Sequence, residues 1–159
     1  MKTFTVELAK KIAEDFFKKH PEKIEEDFAR THTQAVAQIA VILAKKLNLN
    51  VETVEMSAWV HDIGYIVEKK NHALHSVELL EKEGFEIAPI VRDCILNHGT
   101  DGKPESKEAK VLQMADKLSI LSIPVLELLL RQEKITTDDV AFVEKMTNGA
   151  VSYLKKLSE

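Results

Sequence analysis

Apolar side chains recur every three to four residues through most of this chain, the period of helices that turn one face to a core. Val6, Leu8, Ala9, Ile12, Ala13, Phe16 and Phe17 mark a first helix over Thr5 to Lys19, which His20-Pro21 interrupts. A second covers about Ile24 to Leu47, with His32, Val36, Ile39, Leu43 and Leu47 on one face. Asn48-Leu49-Asn50 breaks it, and Val54, Met56, Trp59, Val60 and Ile63 carry a third from Val51 to Ile63. Asn71 as N-cap and Gly84 as terminator frame a helix over Ala73 to Glu83. Another spans Ile87 to Asn97, and His98-Gly99 ends it before the turn-rich Thr100-Asp101-Gly102-Lys103-Pro104. A longer pattern starts at Ser106 or Lys107 and should kink or split at Pro124 before Val125 to Leu130. Thr136 or Thr137, followed by Asp138-Asp139, starts a last helix that runs to the C-terminus. No segment alternates as a strand does and none repeats. The pattern predicts an all-α bundle of about six to eight helices.

Composition narrows the class. At 159 residues the chain is the size of one domain, large enough to bury a core without a disulfide. Its 22 basic and 26 acidic residues are interspersed and give a net charge of −4. That balance lacks the overall electrostatic signature of a duplex nucleic-acid binder. Cys94 is the single cysteine, which excludes an intrachain disulfide and a thiolate zinc cluster and points to a buried inert thiol. The first 19 residues mix apolar with charged positions and do not read as a signal peptide, and no run is long enough to span a bilayer. A cytoplasmic protein is expected.

Candidate chemistry comes from ionisable residues on inward-looking stripes. They are His32, His61, Asp62 and Asp116, with His72 and His98 at helix ends. Ala58-Trp59-Val60-His61-Asp62-Ile63-Gly64-Tyr65 places an imidazole beside a carboxylate at the close of an apolar segment. Adjacent side chains on a helix diverge by about 100°, and they meet a common atom more easily where the helix ends. Gly64 suits such an ending by tolerating backbone conformations that other residues avoid. Asp116 is flanked by Leu112, Ser119 and Ile120 at helical spacing, and a bare charge there needs a positive partner. Taken singly, each has an ordinary reading: a solvated Asp116, or one paired with Lys117 or Arg131, and histidines bonded to backbone.

Taken in order they form His32, His61-Asp62 and Asp116, and the chain resembles the HD-domain superfamily of metal-dependent phosphohydrolases. The likeness runs over about residues 28 to 120. It includes Arg30-Thr31-His32-Thr33, Trp59-Val60-His61-Asp62-Ile63-Gly64 and Met114-Ala115-Asp116-Lys117-Leu118. The resemblance implies a helical domain with a metal held by His32, His61, Asp62 and Asp116; the C-terminal helices from Pro124 onward fall outside it and are expected to cap the pocket or form a homodimer interface. His72 and His98 are similar to positions of the two-metal branch, where Asp62 would bridge two ions. His75, one turn after His72, is read as a donor near the site or an exposed residue. Tyr65 stands where the family motif often continues with Lys.

Mixed imidazole and carboxylate donors suit manganese, iron, cobalt, nickel or zinc, with magnesium a further candidate. The reaction the resemblance implies is hydrolysis of a phosphoester or phosphoanhydride of a small nucleotide or related phosphorylated metabolite. Asp62 or Asp116 would orient the water, Lys117 would assist, and Arg30, Lys69, Lys70 and Lys103 are candidates for phosphate contacts. Each basic residue also has a plain reading as a solvated surface charge. The alternative function is a catalytically silent sensor that binds a metal or nucleotide in the same pocket. Trp59, Met56 and Met114 are expected in the core, and His20 as structural or exposed.

Overall fold

Local sequence signals set the helix starts in the computed structural model, which describes residues 3–158. The Thr5 hydroxyl accepts the Leu8 N–H at the head of α1 (Val6–Phe17), Asn50 accepts from Thr53 before α3 (Val51–Val60), and Ser106 accepts from Ala109 before α6 (Lys107–Leu118). At α8 (Thr137–Ser158), Thr136 and Asp139 bond reciprocally: Asp139 accepts the Thr136 N–H, and the Thr136 hydroxyl accepts the Asp139 N–H. The remaining helices are α2 (Lys23–Lys46), α4 (His72–Lys82), α5 (Pro89–Leu96) and α7 (Ile123–Leu130), with 3₁₀ turns at Ile63–Ile66 and Ser119–Leu121. No strand occurs among the described residues. None of these helices is long and apolar enough to cross a membrane.

The expected boundaries shift where tertiary packing intervenes. The third helix does not carry His61 and Asp62 within it: α3 stops at Val60, His61 caps it, and Asp62 lies at φ −111°, ψ 5° at the head of the 3₁₀ turn. Gly64 is not there for an unusual backbone angle. A Cβ on it would lie 2.0 Å from the His72 carbonyl oxygen and 2.6 Å from the Ser76 nitrogen, so glycine lets α4 press against the turn. Asn71 occupies the N-cap position of α4 but turns its amide to Glu68 instead of capping. Gly84, at φ +89°, closes that helix in the left-handed region as expected. The long pattern after Ser106 splits at Leu118, ahead of Pro124, which then sits in the first turn of α7 where a missing N–H costs nothing.

Two apolar clusters form the core. One joins α2, α3 and α6 through Val36, Ala40, Val54, Leu112 and Ala115, with Val125 of α7 and Met146 of α8 packed on it. The other joins α1, α4 and α5 through Ala13, Phe16, Leu80 and Ile95. Trp59 packs against both, Met114 against the first and Met56 against the second. The cluster boundary is where the ionisable residues gather.

Candidate metal centre

Five elements meet at this boundary. His32 comes from the middle of α2, His61-Asp62 from the end of α3, His72 from the first residue of α4, His98 from just past α5, and Asp116 from α6. The His32 Nε2 lies 3.1 Å from Asp116 Oδ1 and 3.3 Å from Asp62 Oδ2, and His61 Nε2 lies 3.6 and 3.1 Å from the same two oxygens. On the far side of Asp62, Oδ1 stands 3.3 Å from His72 Nε2 and 3.1 Å from His98 Nε2. One carboxylate thus gives one oxygen to each of two groups. In each group the candidate ligand atoms lie within 4.8 Å of one another.

The imidazoles are oriented by what their other nitrogens do. The Nδ1–H of His61 donates to the Ala58 carbonyl at 2.7 Å, that of His98 to Ile95 at 2.6 Å, and that of His72 to Lys69 at 2.8 Å. The Ser119 hydroxyl donates to the Asp116 carbonyl at 2.7 Å, which leaves it to accept from His32 Nδ1 at 3.1 Å. With all four Nδ1 atoms acting as donors, all four Nε2 atoms point into the centre, where each offers a lone pair to a metal once its proton is displaced. Those of His72 and His98 approach to 3.0 Å, an arrangement that asks for a cation between them. Ser76 braces the junction, donating to the His61 and His72 carbonyls and accepting the Gly64 N–H.

Burial makes the demand for positive charge acute. His32 and Asp116 are 6% exposed and His61 is fully buried, and the His61 Nε2 and Asp62 Oδ1 atoms have no hydrogen-bond partner. Burial alone would lower both imidazole pKa values, but the carboxylates of Asp62 and Asp116 outweigh it, raising His32 to about 8 and His61 to about 10. Burial likewise pushes the two carboxyls up, and the imidazoles, with Lys117 beside Asp116, bring both well below the usual range.

The residues fit a divalent metal. Bonds of about 2.0–2.2 Å to nitrogen and oxygen place neighbouring donors about 3.0–3.5 Å apart in octahedral or tetrahedral geometry, and nearly all the cross-group separations above fall there. The residues that can hold it are His32, His61, Asp62 and Asp116, and Asp62, His72 and His98. The mixture of neutral nitrogen and anionic oxygen is a donor set that divalent metals share.

The other sequence candidates divide. Lys117 is 5% exposed, with its Nζ 2.5 Å from Asp116 Oδ2, so its plain reading as a solvated charge does not hold. A Cβ at Gly149 of α8 would lie 3.2 Å from the Lys117 methylenes, so glycine there leaves the lysine its place. Lys69 lines the cavity over the centre. Arg30, Lys70 and Lys103 are not brought there: the Arg30 guanidinium is bound by Glu14 and Glu26, while Lys70 and Lys103 are exposed outside the lining. His75 turns away to Glu68 and Glu78, His20 lines the cavity while partly exposed, and burial pushes the Cys94 thiol up to about 12. The roles of Ser119, Ser76 and Phe28 at the site did not follow from the sequence. Phe28 stands one turn before His32 on the same face, a spacing that was visible; the serines' partners were not.

Comparison with known proteins agrees with this arrangement. The HD domain family model matches residues 29–121. A deoxyguanosinetriphosphate triphosphohydrolase-like protein of Caldanaerobacter subterraneus is 31% identical over 121 residues, 64% of this chain and 36% of its own length. Ribonuclease Y of Borreliella burgdorferi is 36% identical over 92 residues, 55% of this chain and 18% of that protein. The chain therefore spans about a third or less of the length of these relatives. A crystal structure of a predicted HD superfamily hydrolase from an uncultured Thermotogales bacterium superposes with a TM-score of 0.60 at 21% identity, covering 92% of this chain and 90% of that one, and shows the shared fold. By the family match across most of its length, and with the ligand pattern in place, the chain belongs to the HD-domain family.

Proposed function

We propose that this protein is a metal-dependent phosphohydrolase that uses water to cleave a phosphoester or phosphoanhydride bond of a small nucleotide or related phosphorylated metabolite. The observation that carries the reading is the set of four Nε2 atoms fixed toward one buried and one half-buried carboxylate beneath a cavity of about 980 Å³. The names of the two relatives, a nucleoside-triphosphate triphosphohydrolase-like protein and a ribonuclease, support the nucleotide class.

His32, His61, Asp62 and Asp116 would hold one ion, and Asp62, His72 and His98 a second, drawn from manganese, iron, cobalt, nickel, zinc or magnesium. Such ions lower the pKa of bound water toward about 7 and polarise a phosphoryl oxygen. The chain's own groups do the positioning. Asp62 or Asp116, each kept ionised by its neighbours, would accept a hydrogen bond from the attacking water and align it. Lys117, anchored by Asp116, offers its remaining N–H groups to a phosphoryl oxygen, and Lys69 offers a second cation nearer the mouth. One P–O bond forms to the water oxygen, one breaks, and the proton leaves with the departing oxygen.

The test is metal quantification on protein purified without chelator, joined to phosphate-release assays on a panel of nucleotides and sugar phosphates. Asp62→Asn should lower turnover by more than about 100-fold, beyond the effect of losing a residue that only orients a ligand. Unchanged turnover in that variant would sink the assignment.

A further inference from the structure

The cavity over the centre lies at the upper end of the roughly 300–1,000 Å³ typical of ligand sites. A phosphoryl group at the ligands leaves most of that space to whatever it is attached to. Two properties of the remaining space restrict the attachment.

The first is charge. Lys117 sits at the centre itself, its charge offset by Asp116 and its remaining N–H groups serving the single phosphoryl group there, and Arg30 is held away by Glu14 and Glu26. Away from the ligands, the ionisable Lys, Asp and Glu side chains among the described residues that line the cavity are Lys69 and Lys145 against Glu25, Asp138 and Asp139. A triphosphate tail brings several anionic groups that need an Arg/Lys clamp, and a single strand of RNA needs a positive groove along its backbone. This wall, with its surplus of acid, supplies neither. A single phosphoryl group instead concentrates its charge at the centre, and leaves the carboxylates to accept hydrogen bonds from hydroxyl or amino groups.

The second is shape. Phe28 lines the cavity, is 37% exposed, and holds its ring within 2° of parallel to the His32 imidazole, centroids 5.9 Å apart. Phe142 of α8 meets it edge-on at 6.2 Å and 71°, which sets its tilt. An exposed aromatic ring beside a ligand histidine offers a flat apolar surface within reach of a group attached to the bound phosphoryl.

From these features we infer that the substrate, on the hydrolase reading above, carries one phosphoryl group on a flat heteroaromatic moiety, as a nucleoside 5′-monophosphate does, and that Phe28 is the residue that selects for the ring. This separates the chain from the triphosphate and RNA named for its relatives.

The metal-loaded full chain is assayed against nucleoside 5′-monophosphates, the corresponding triphosphates, a short single-stranded oligoribonucleotide, and ribose 5-phosphate as a ring-free control, with dissociation constants measured alongside by calorimetry. The kcat/KM for a monophosphate should exceed that for the triphosphate and the oligonucleotide by tenfold or more. Stacking of a base on an aromatic side chain is worth about tenfold or more in affinity. Phe28→Ala should therefore narrow the preference for monophosphate over ribose 5-phosphate about tenfold, through KM, and Phe28→Tyr should retain it. Phe28→Leu, which keeps apolar bulk without the ring, should behave as the alanine variant if that one does not fold. Equal or better cleavage of triphosphate or oligonucleotide overturns the single-phosphoryl inference, and an unchanged preference in both Phe28→Ala and Phe28→Leu overturns the role of the ring. Tighter binding of the monophosphate without any turnover supports this inference and sinks the hydrolase reading; neither turnover nor selective binding sinks both.

Discussion

The two ligand groups share Asp62 and differ in how the fold holds them. The inner group, His32, His61, Asp62 and Asp116, draws on α2, α3 and α6, the helices that form one apolar cluster, and it is almost wholly buried. The outer group adds His72 and His98 at helix ends; His98 is buried, but the His72 side chain is 18% exposed and its ring stacks on an exposed Tyr65 at 4.0 Å. The contrast teaches that the inner site is part of the protein's structure, whereas the outer one is attached to its rim. An ion in the inner site should exchange slowly and support the fold; one in the outer site should come and go at little structural cost.

Removing an inner carboxylate tests this most severely. Asp116→Ala would leave the buried Lys117 ammonium without its counter-charge and the two imidazoles with Asp62 alone, a loss of about 3–5 kcal/mol in the ion-free protein. Urea denaturation measures it, and a loss below about 1 kcal/mol would make the inner site no more structural than the outer. Titration of the same network is gentler and has a definite sign. In the ion-free protein His32 and His61 sit at about 8 and 10, above the ordinary value of 6.5. Their contribution to stability is complete below pH 6.5 and is lost as the pH rises through 8 and then 10. The depressed carboxyls act at the other end, contributing above about pH 4 and losing that contribution as the pH falls through their lowered values. Melting temperatures of chelator-treated protein should therefore fall from pH 6.5 to 10, while the stabilisation gained on adding manganese grows over that range. A flat ion-free profile would count against the charge network.

Ser119→Ala is narrower still. It frees the His32 ring, and it should weaken inner-site metal affinity by about 10- to 100-fold with the outer stoichiometry untouched. Competition with a coloured chelator reads that change. At the small end, His72→Ala should remove one bound ion per chain and alter ion-free stability by less than about 0.5 kcal/mol. If it also strips the inner ion, the two groups are one cooperative unit and the contrast fails.

Much of this was legible in the residues. An all-α bundle, whose eight helices among the described residues fall within the six to eight expected, and the inward position of His32 and Asp116 follow from three- and four-residue spacing, because a buried stripe leaves its period in the sequence. The order of ligand types was equally readable. What escaped depended on distances between elements far apart in the chain. The fit of Gly64 under α4 is set by the path of that helix, and Ser119 reaches a histidine 87 residues earlier. Arg30 lies four residues after Glu26, a pairing visible in advance, but its second partner, Glu14, is brought by the packing of α1 on α2. The chemistry of each side chain was thus written locally, and its availability was decided globally.

The glycine at position 149 extends this beyond the residues that match the family. It makes the final helix a backstop against which the stem of Lys117 rests. On the hydrolase reading proposed above, divergence in that terminal segment would retune the Lys117 donor while leaving the candidate ligands untouched, so reactivity would be inherited in part from a region outside the residues that match the family.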